Sequence, residues 1–128
     1  SNRVAVLLAV LEKRAGLPIA GEDVFVNVAG GLSVEEPVAD LGLVAAVASS
    51  FRARPLDTGT VLLGELGLAG EVRPAQQVAL RVREAARMGF QKVLLPAGNL
   101  PLAGEAEAAG SMQTVGVRNV SEALDWLF

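Results

Sequence analysis

The sequence predicts an α+β protein, an α/β sandwich that forms a single domain over residues 1–128. Stretches with apolar residues at helical spacing alternate with short runs rich in Val and Leu, which is typical of helices packed on a sheet. Gly and Pro separate these stretches at short intervals, and no repeat, linker or low-complexity segment divides the chain. The length also agrees with one domain.

Each predicted element has a local signal. Apolar residues at i, i+3, i+4 and i+7 indicate helices, and Pro37 and Ser121 suit helix starts, whereas Gly89 suits a helix end. Alternating or continuous apolar runs indicate strands, two of which flank a Gly-rich turn and predict a hairpin. The predicted helices are Arg3–Arg14, Pro37–Phe51, Ala75–Met88, a short Ala103–Ala109 and Ser121–Phe128; the predicted strands are Asp23–Ala29, Thr60–Glu65, Glu71–Arg73, Gln91–Leu95 and Thr114–Val117.

The composition excludes several functions. The chain has no cysteine and no histidine, which excludes disulfides, thiol chemistry, histidine-based triads and ordinary structural zinc sites. Hydrophobic residues make up 52% of the chain and the mean hydropathy is +0.44, which indicates a rich core or a subunit interface. The longest apolar run, Leu41–Ser49, is far below the roughly 20 residues that span a bilayer. We therefore expect no membrane partner and a cytoplasmic location.

The charges are unevenly distributed. The net charge is −3, which argues against a uniformly basic nucleic-acid binder. Nine of the eleven cations are arginines, the side chain best suited to phosphates. No aromatic residue interleaves with them in the sequence, so we do not expect bases to stack on this protein. The arginines predict either a phosphate-binding surface or a solvated face with inter-subunit ion pairs; the candidates for DNA binding are Arg3, Arg14, Arg52, Arg54, Arg73, Arg81 and Arg83.

The stretch from Val24 to Phe51 has the frame of an active site. An apolar strand runs into Gly30-Gly31, an acidic loop and a helix of small residues, an arrangement that often places a nucleophile or binds an anion. The loop carries Glu35, Glu36 and Asp40, which either bind a cation, act as paired carboxylates, or cap the helix and pair with arginine. We expect Asp40 to pair with Arg73 or with a neighbouring subunit. The spacing of a phosphate-binding Walker loop is absent.

Four stretches in one order resemble a known family. The chain is similar, over nearly its whole length, to the C-terminal, Lon-protease-like domain of bacterial RadA (Sms) DNA-repair proteins. The resemblance implies the fold of the Lon proteolytic domain. Because the chain begins with Ser1 rather than Met, we expect an excised C-terminal domain of a longer protein. The matching stretches are Leu8–Gly16, Asp23–Val28 with Gly30-Gly31, Glu36–Leu41, and Gly64–Leu68 followed by Gly70–Pro74.

The resemblance also implies what has been lost. Lon proteases use a serine in a Pro-Ser-Ala-Gly loop and a lysine after a Gly-x-Val-x-Pro strand. On this chain the serine position falls on Val38 and the lysine position on Ala79. A Ser–Lys dyad needs a hydroxyl beside an amine, and these residues supply neither. We expect no catalytic residue in this domain.

The family implies a role in recombination and repair. The resemblance implies that RadA-type proteins are ring-forming, ATP-driven motors that act on branched DNA. We expect this domain to support a ring, which should be hexameric. We also expect it to bind branched or single-stranded DNA without reading the base sequence. A recombinase is a further candidate partner. ATP, magnesium and a zinc finger belong to upstream parts of such a protein, so we expect no cofactor here. The alternatives are an active peptidase using Ser33, Ser49 or Ser50, and an oligomerisation module that never touches DNA.

Overall fold

The computed structural model of the chain describes residues 6, 9–10, 13–14, 37–57, 59–100 and 112–128. Val6, Ala9, Val10, Lys13 and Arg14 are all helical, in agreement with the first predicted helix. Two 3-10 turns cover Pro37–Ala39 and Ala97–Asn99. The regular elements that follow are α1 (Asp40–Arg52), β1 (Thr60–Leu62), β2 (Glu65–Leu66), β3 (Val72–Arg73), α2 (Val78–Arg87), β4 (Lys92–Pro96), β5 (Gln113–Val117) and α3 (Val120–Leu127).

A parallel sheet forms the centre of this described part. Its strand order is β1-β4-β5, with Val61 beside Val93 and Leu94 beside Val115. The central strand β4 is continuously apolar, as expected of a parallel strand covered on both faces. A separate two-stranded antiparallel sheet joins β2 and β3. The predicted α+β class with a helix-covered sheet is confirmed.

Helices cover both faces of the parallel sheet. Leu94 packs with α1 and α3 in one apolar cluster, whereas Val93 and Leu95 pack with α2 in a second. This division follows from the pleat, because successive side chains of a strand point to opposite faces. Four residues of α1 are at most 1% exposed, namely Leu41, Val44, Ala45 and Ala48. All of these except Ala45 belong to the first cluster. Helix α1 is therefore central and buried, as its small apolar residues predicted.

The predicted strand Thr60–Glu65 is wrong as a single element. It is interrupted at Leu63 and Gly64, so that Thr60–Leu62 joins the parallel sheet and Glu65–Leu66 joins the hairpin. Gly64 has a φ of +155°, and a Cβ placed there would lie 2.7 Å from a methyl carbon of Val72. The glycine allows the chain to leave one sheet for the other at a point where a side chain has no space.

Helix α2 begins three residues later than the sequence predicted. The buried side chain of Asn99 accepts a hydrogen bond from the Ala75 amide at 2.8 Å and donates one to the Ala75 carbonyl at 3.1 Å. Both backbone groups of Ala75 are thus bound outside the helix. Gln77 then adopts a left-handed conformation (φ 58°) before Val78 starts α2. A long-range amide contact has overridden the local helical pattern.

The helix ends agree more closely with prediction. Gly89 (φ +95°) follows α2, and the Phe90 amide donates to the Ala85 carbonyl at 3.1 Å in a Schellman arrangement. The last helix is capped by Asn119 and not by Ser121, because the Asn119 side chain accepts a hydrogen bond from the Glu122 amide at 2.8 Å. The sequence assigned the cap two residues too late.

Several expectations lie outside the described residues. They concern the strand Asp23–Ala29, the Gly30-Gly31 turn, the short helix Ala103–Ala109, and the side chains of Arg3, Ser33, Glu35 and Glu36.

Candidate functional site

The start of α1 is tied to the segment between the two sheets. The Gly64 amide donates to the Val38 carbonyl at 3.0 Å, and the Leu41 amide donates to the Gly64 carbonyl at 3.0 Å. Asp40 is only 1% exposed, and its Oδ2 accepts a hydrogen bond from the Leu66 amide at 3.0 Å. These contacts hold the loop that the resemblance compares with a protease nucleophile loop rigidly against β2.

The buried Asp40 is a structural carboxylate. It lies in the first turn of α1, where a negative charge is favoured by the helix dipole, and it satisfies a backbone amide of the neighbouring strand. Arg73 lies 3.8 Å from both Glu65 and Glu71. Among the described residues, Arg73 thus forms its ion pairs with these two glutamates, and the expected pairing of Asp40 with a neighbouring subunit stays a prediction.

The two positions to which the resemblance assigns the protease dyad lie against one apolar cluster. Val38 and Ala79 are both half-buried, and both pack against the cluster that contains Leu63, Val78 and Val82. Neither side chain carries an atom that could attack a carbonyl or accept a proton.

A cleft of about 480 Å³ opens beside Val38. Its wall combines the start of the 3-10 turn before α1 with the segment that leads into α2. Arg81 and Glu65 are the charged groups in this lining, and Arg81 Nε donates to the Gln76 carbonyl at 3.3 Å. The residues that line the cleft are Pro37, Val38, Glu65, Pro74, Ala75, Gln76 and Arg81.

Among the described residues, no group of three or more His, Cys, Asp or Glu side chains is arranged to hold a metal ion. Within the same residues, no helix is long and apolar enough to cross a membrane.

The predicted arginines that the structure describes are distributed over several elements. Arg14 lies near the β2–β3 turn, where a Cβ built on Gly70 would be 3.0 Å from the Arg14 Cβ. Arg73 lies on the same hairpin between two glutamates. Arg81 lines the cleft, and Arg83 is exposed on α2. Arg52 ends α1, and Arg54 follows two residues later.

Arg52 and Arg54 hold one aromatic ring between them. Their guanidinium carbons lie 5.2 and 5.8 Å from the centre of the Phe128 ring. Ala53, between them, is left-handed (φ 53°), and the Arg54 amide donates to the Ser49 carbonyl at 3.0 Å. This chain reversal after α1 aims both arginines at the end of α3.

A second cation–aromatic pair lies at the same edge of the molecule. The Lys92 Nζ is 5.6 Å from the centre of the Trp126 ring. Lys92 begins β4, and its amide donates to the Gly59 carbonyl just before β1, so the pair lies at the amino end of the parallel strands. We name Arg52, Arg54, Lys92, Trp126 and Phe128 the basic–aromatic edge. No aromatic residue interleaves with the cations in the sequence, but the fold brings Trp126 and Phe128 beside them from distant positions in the chain.

The carboxyl group of Asp57, beside this edge, has a lowered pKa. Its carboxylate accepts hydrogen bonds from the Gly59 amide at 3.1 Å and from the Thr60 hydroxyl at 3.0 Å. These bonds favour the ionised form, and Lys92 adds a favourable charge, so the pKa of Asp57 lies below its ordinary value of 3.8. Asp57 stays ionised at neutral pH and fixes the turn that leads into β1.

Sequence reasoning missed the aromatic half of the edge and one further arginine. Arg118, after β5, lies 3.5 Å from Glu122 and accepts a hydrogen bond from the Val72 amide through its carbonyl. Trp126 and Phe128 were assigned only to a terminal helix. Nothing in the sequence positions of Trp126 and Phe128 indicates that cations from the end of α1 and the start of β4 lie beside them.

A protein-family model described as "Subunit ChlI of Mg-chelatase" matches residues 2–99 of the chain. This match covers most of the chain, so the chain belongs to that family.

Individual relatives carry another name. The chain is 49% identical over 123 residues to the DNA repair protein RadA of Escherichia coli (strain K12), covering 96% of this chain and 26% of the relative. It is 46% identical over 127 residues to that of Pseudomonas aeruginosa, covering 99% and 27%, and 46% identical over 123 residues to that of Bacillus subtilis, covering 96% and 26%. The matches lie in a C-terminal portion of these proteins, and the chain spans about a quarter of their length. The resemblance to RadA is confirmed.

Proposed function

We propose that this chain is a non-proteolytic, Lon-like scaffold domain of a RadA-type DNA repair protein, which supports ring assembly and binds DNA without reading its sequence. The similarity to RadA supports the role in repair. In such a protein, ATP hydrolysis with magnesium and a zinc finger belong to other domains, the location is cytoplasmic, and a recombinase is a candidate partner.

The loss of proteolysis follows from the dyad positions. The hydrocarbon side chains at Val38 and Ala79 supply neither the hydroxyl nor the amine of a Ser–Lys dyad, and both pack on the α2-side cluster. The serines nearest this helix offer no replacement. Ser49 donates its hydroxyl hydrogen bond to the Arg54 carbonyl, and Ser50 lies exposed near the other end of α1 from the cleft. A fluorophosphonate probe should leave the chain unlabelled; labelling of either serine, or of Ser33, would favour the peptidase alternative.

The DNA-binding part of the proposal rests on the positive charges of Arg52 and Arg54. Both side chains are exposed, and within the described residues neither lies within ion-pair distance of a carboxylate. Arg73, by contrast, lies between two glutamates. A phosphate at Arg73 must compete with carboxylates, whereas a phosphate at Arg52 or Arg54 meets an available cation.

Fluorescence anisotropy with a labelled duplex at two salt concentrations tests this assignment. The double variant Arg52→Ala/Arg54→Ala should weaken binding, and it should reduce the slope of log affinity against log salt by about two, one for each lost phosphate contact. The matched control is Arg87→Ala/Arg118→Ala, which removes the same charge from carboxylate-paired arginines. Equal losses in both variants would contradict the residue assignment, and no binding by the unaltered chain at low salt would contradict the DNA-binding role.

A pure oligomerisation module is the second candidate, because large apolar side chains remain exposed. Leu68 in the β2–β3 turn is 73% exposed and Met88 after α2 is 74% exposed. Such side chains gain free energy when a second subunit covers them. Sedimentation velocity separates the alternatives when it is combined with the duplex titration. Self-association that weakens in Leu68→Ser, together with no DNA binding, would favour the module.

A further inference from the structure

The basic–aromatic edge has two properties that the arginines elsewhere lack. Its cations lie over aromatic rings, at 5.2 Å for Arg52, 5.8 Å for Arg54 and 5.6 Å for Lys92. Its members come from three elements, the ends of α1 and α3 and the start of β4. The surface is thus held by the fold and does not depend on one flexible segment.

The charge of this edge is available to a ligand. The end of α1 explains one cation, since a helix C-terminus favours positive charge. Arg54 and Lys92 lie outside helices and have no such role. Asp57 is the carboxylate whose pKa senses Lys92, but its oxygens are already bound to Gly59 and Thr60. The edge therefore brings together three cations, with the ionised Asp57 as a neighbouring anion, on a chain whose net charge is −3.

The aromatic groups of this edge are accessible as well. Trp126 is 51% exposed, although it belongs to a helix whose opposite side is buried. Phe51, which precedes Arg52, is 39% exposed. An exposed indole beside an ammonium group, and guanidinium planes beside a phenyl ring, are surfaces on which a nucleobase can stack while its phosphates meet the cations.

We propose that the basic–aromatic edge binds single-stranded DNA, with an unpaired base stacked on Trp126 and the adjoining phosphates bound by Arg52, Arg54 and Lys92. The proposal rests on the DNA-binding function above and specifies its substrate. A duplex can meet the cations but hides its base faces inside the helical stack. The aromatic contribution should therefore act on single strands alone, while the arginine contribution acts on both.

The single tryptophan provides a direct readout, because Trp126 is the chain's only indole. Titration of the unaltered chain with a thymidine oligonucleotide should quench Trp126 fluorescence and protect it from acrylamide. A duplex of equal length should bind without comparable quenching. By anisotropy, Trp126→Ala should lose about fivefold or more in affinity for the single strand, while its affinity for the duplex stays unchanged. Trp126→Phe should retain most single-strand binding.

A matched control and three outcomes make the test decisive. Leu68→Ala removes another exposed apolar side chain, outside the edge, and should alter neither affinity. Arginine-dependent duplex binding with no response of Trp126 to the single strand would overturn this proposal and leave the DNA-binding function standing. No binding of either DNA would overturn both. Trp126 fluorescence that changes on diluting the protein without DNA would show a second copy of the chain covering the edge, and would also overturn the proposal.

Discussion

Replacing Ala53 by glycine should stabilise the protein, although glycine usually weakens helical regions. Ala53 follows α1 in a left-handed conformation (φ 53°, ψ 39°). Its amide donates to the Ser50 carbonyl at 3.2 Å, and the Arg54 amide donates to the Ser49 carbonyl at 3.0 Å. This is a Schellman cap with alanine at the position where glycine is usual.

The expected magnitude is a difference of two terms. A left-handed residue with a Cβ costs about 1–2 kcal/mol, and glycine removes that cost. Glycine also gains freedom in the unfolded chain, which offsets about 0.5–1 kcal/mol. The net gain in the free energy of unfolding should be about 0.5–1 kcal/mol. Ala46→Gly provides the matched control: Ala46 is exposed within the same helix, and the change there should cost about 1 kcal/mol.

Urea denaturation followed by circular dichroism measures both variants. The midpoint should rise for Ala53→Gly and fall for Ala46→Gly, with the slope of free energy against urea unchanged. If both variants lost stability to the same extent, the left-handed turn at Ala53 would be refuted. The reasoning that this turn aims Arg52 and Arg54 at Phe128 would fail with it.

Three further changes test other parts of the fold. Gly64→Ala should destabilise the chain by about 2 kcal/mol or more, because the new methyl group clashes with Val72 and the positive φ is strained. At Gly89→Ala the new methyl group meets no atom within 4 Å, so only the strain of about 1 kcal/mol should remain. Thermal unfolding compares the two variants. Asp57→Asn should make the free energy of unfolding less sensitive to acid. The pKa of Asp57 is lowered on folding, so its carboxylate stabilises the folded state above its ordinary pKa of 3.8, and this stabilisation is lost as pH falls through the lower pKa of the folded state. Urea midpoints at neutral and acidic pH measure this loss. Asn119→Ala should cost about 1 kcal/mol by removing the cap of α3, whereas Ser121→Ala should change the urea midpoint little.

Each of these expectations has a contrary result. Equal costs for the two glycine variants would mean that no clash limits the bend between the sheets. An acid-unfolding profile unchanged in Asp57→Asn would mean that its hydrogen bonds do not depress its pKa. A larger cost at Ser121 than at Asn119 would restore the cap that the sequence suggested.

The sequence correctly predicted those features of the fold that depend on neighbouring residues or on the burial of an apolar run. The apolar run that became β4 and the small apolar residues of α1 both lie buried as expected, since burial of such runs needs no knowledge of particular partners. Gly89 ends α2 for a reason confined to three neighbouring residues. The dyad positions Val38 and Ala79 follow from sequence resemblance, and their apolar surroundings agree with their side chains.

Tertiary contacts decided the rest. The Asn99 side chain delays α2 by binding Ala75 from 24 residues away, a hydrogen bond that no helical periodicity can reveal. The predicted strand after Thr60 divides because Gly64 must pass close to Val72.

The sequence by itself determined the fold class and the likeness to RadA. Only the tertiary structure decided which cations remain available. Arg73 and Arg54 look alike in the sequence, yet one lies between two glutamates and the other over a phenyl ring. The availability of a charge depends on distances to groups elsewhere in the chain, and those distances exist only after α1, β4 and α3 have packed together.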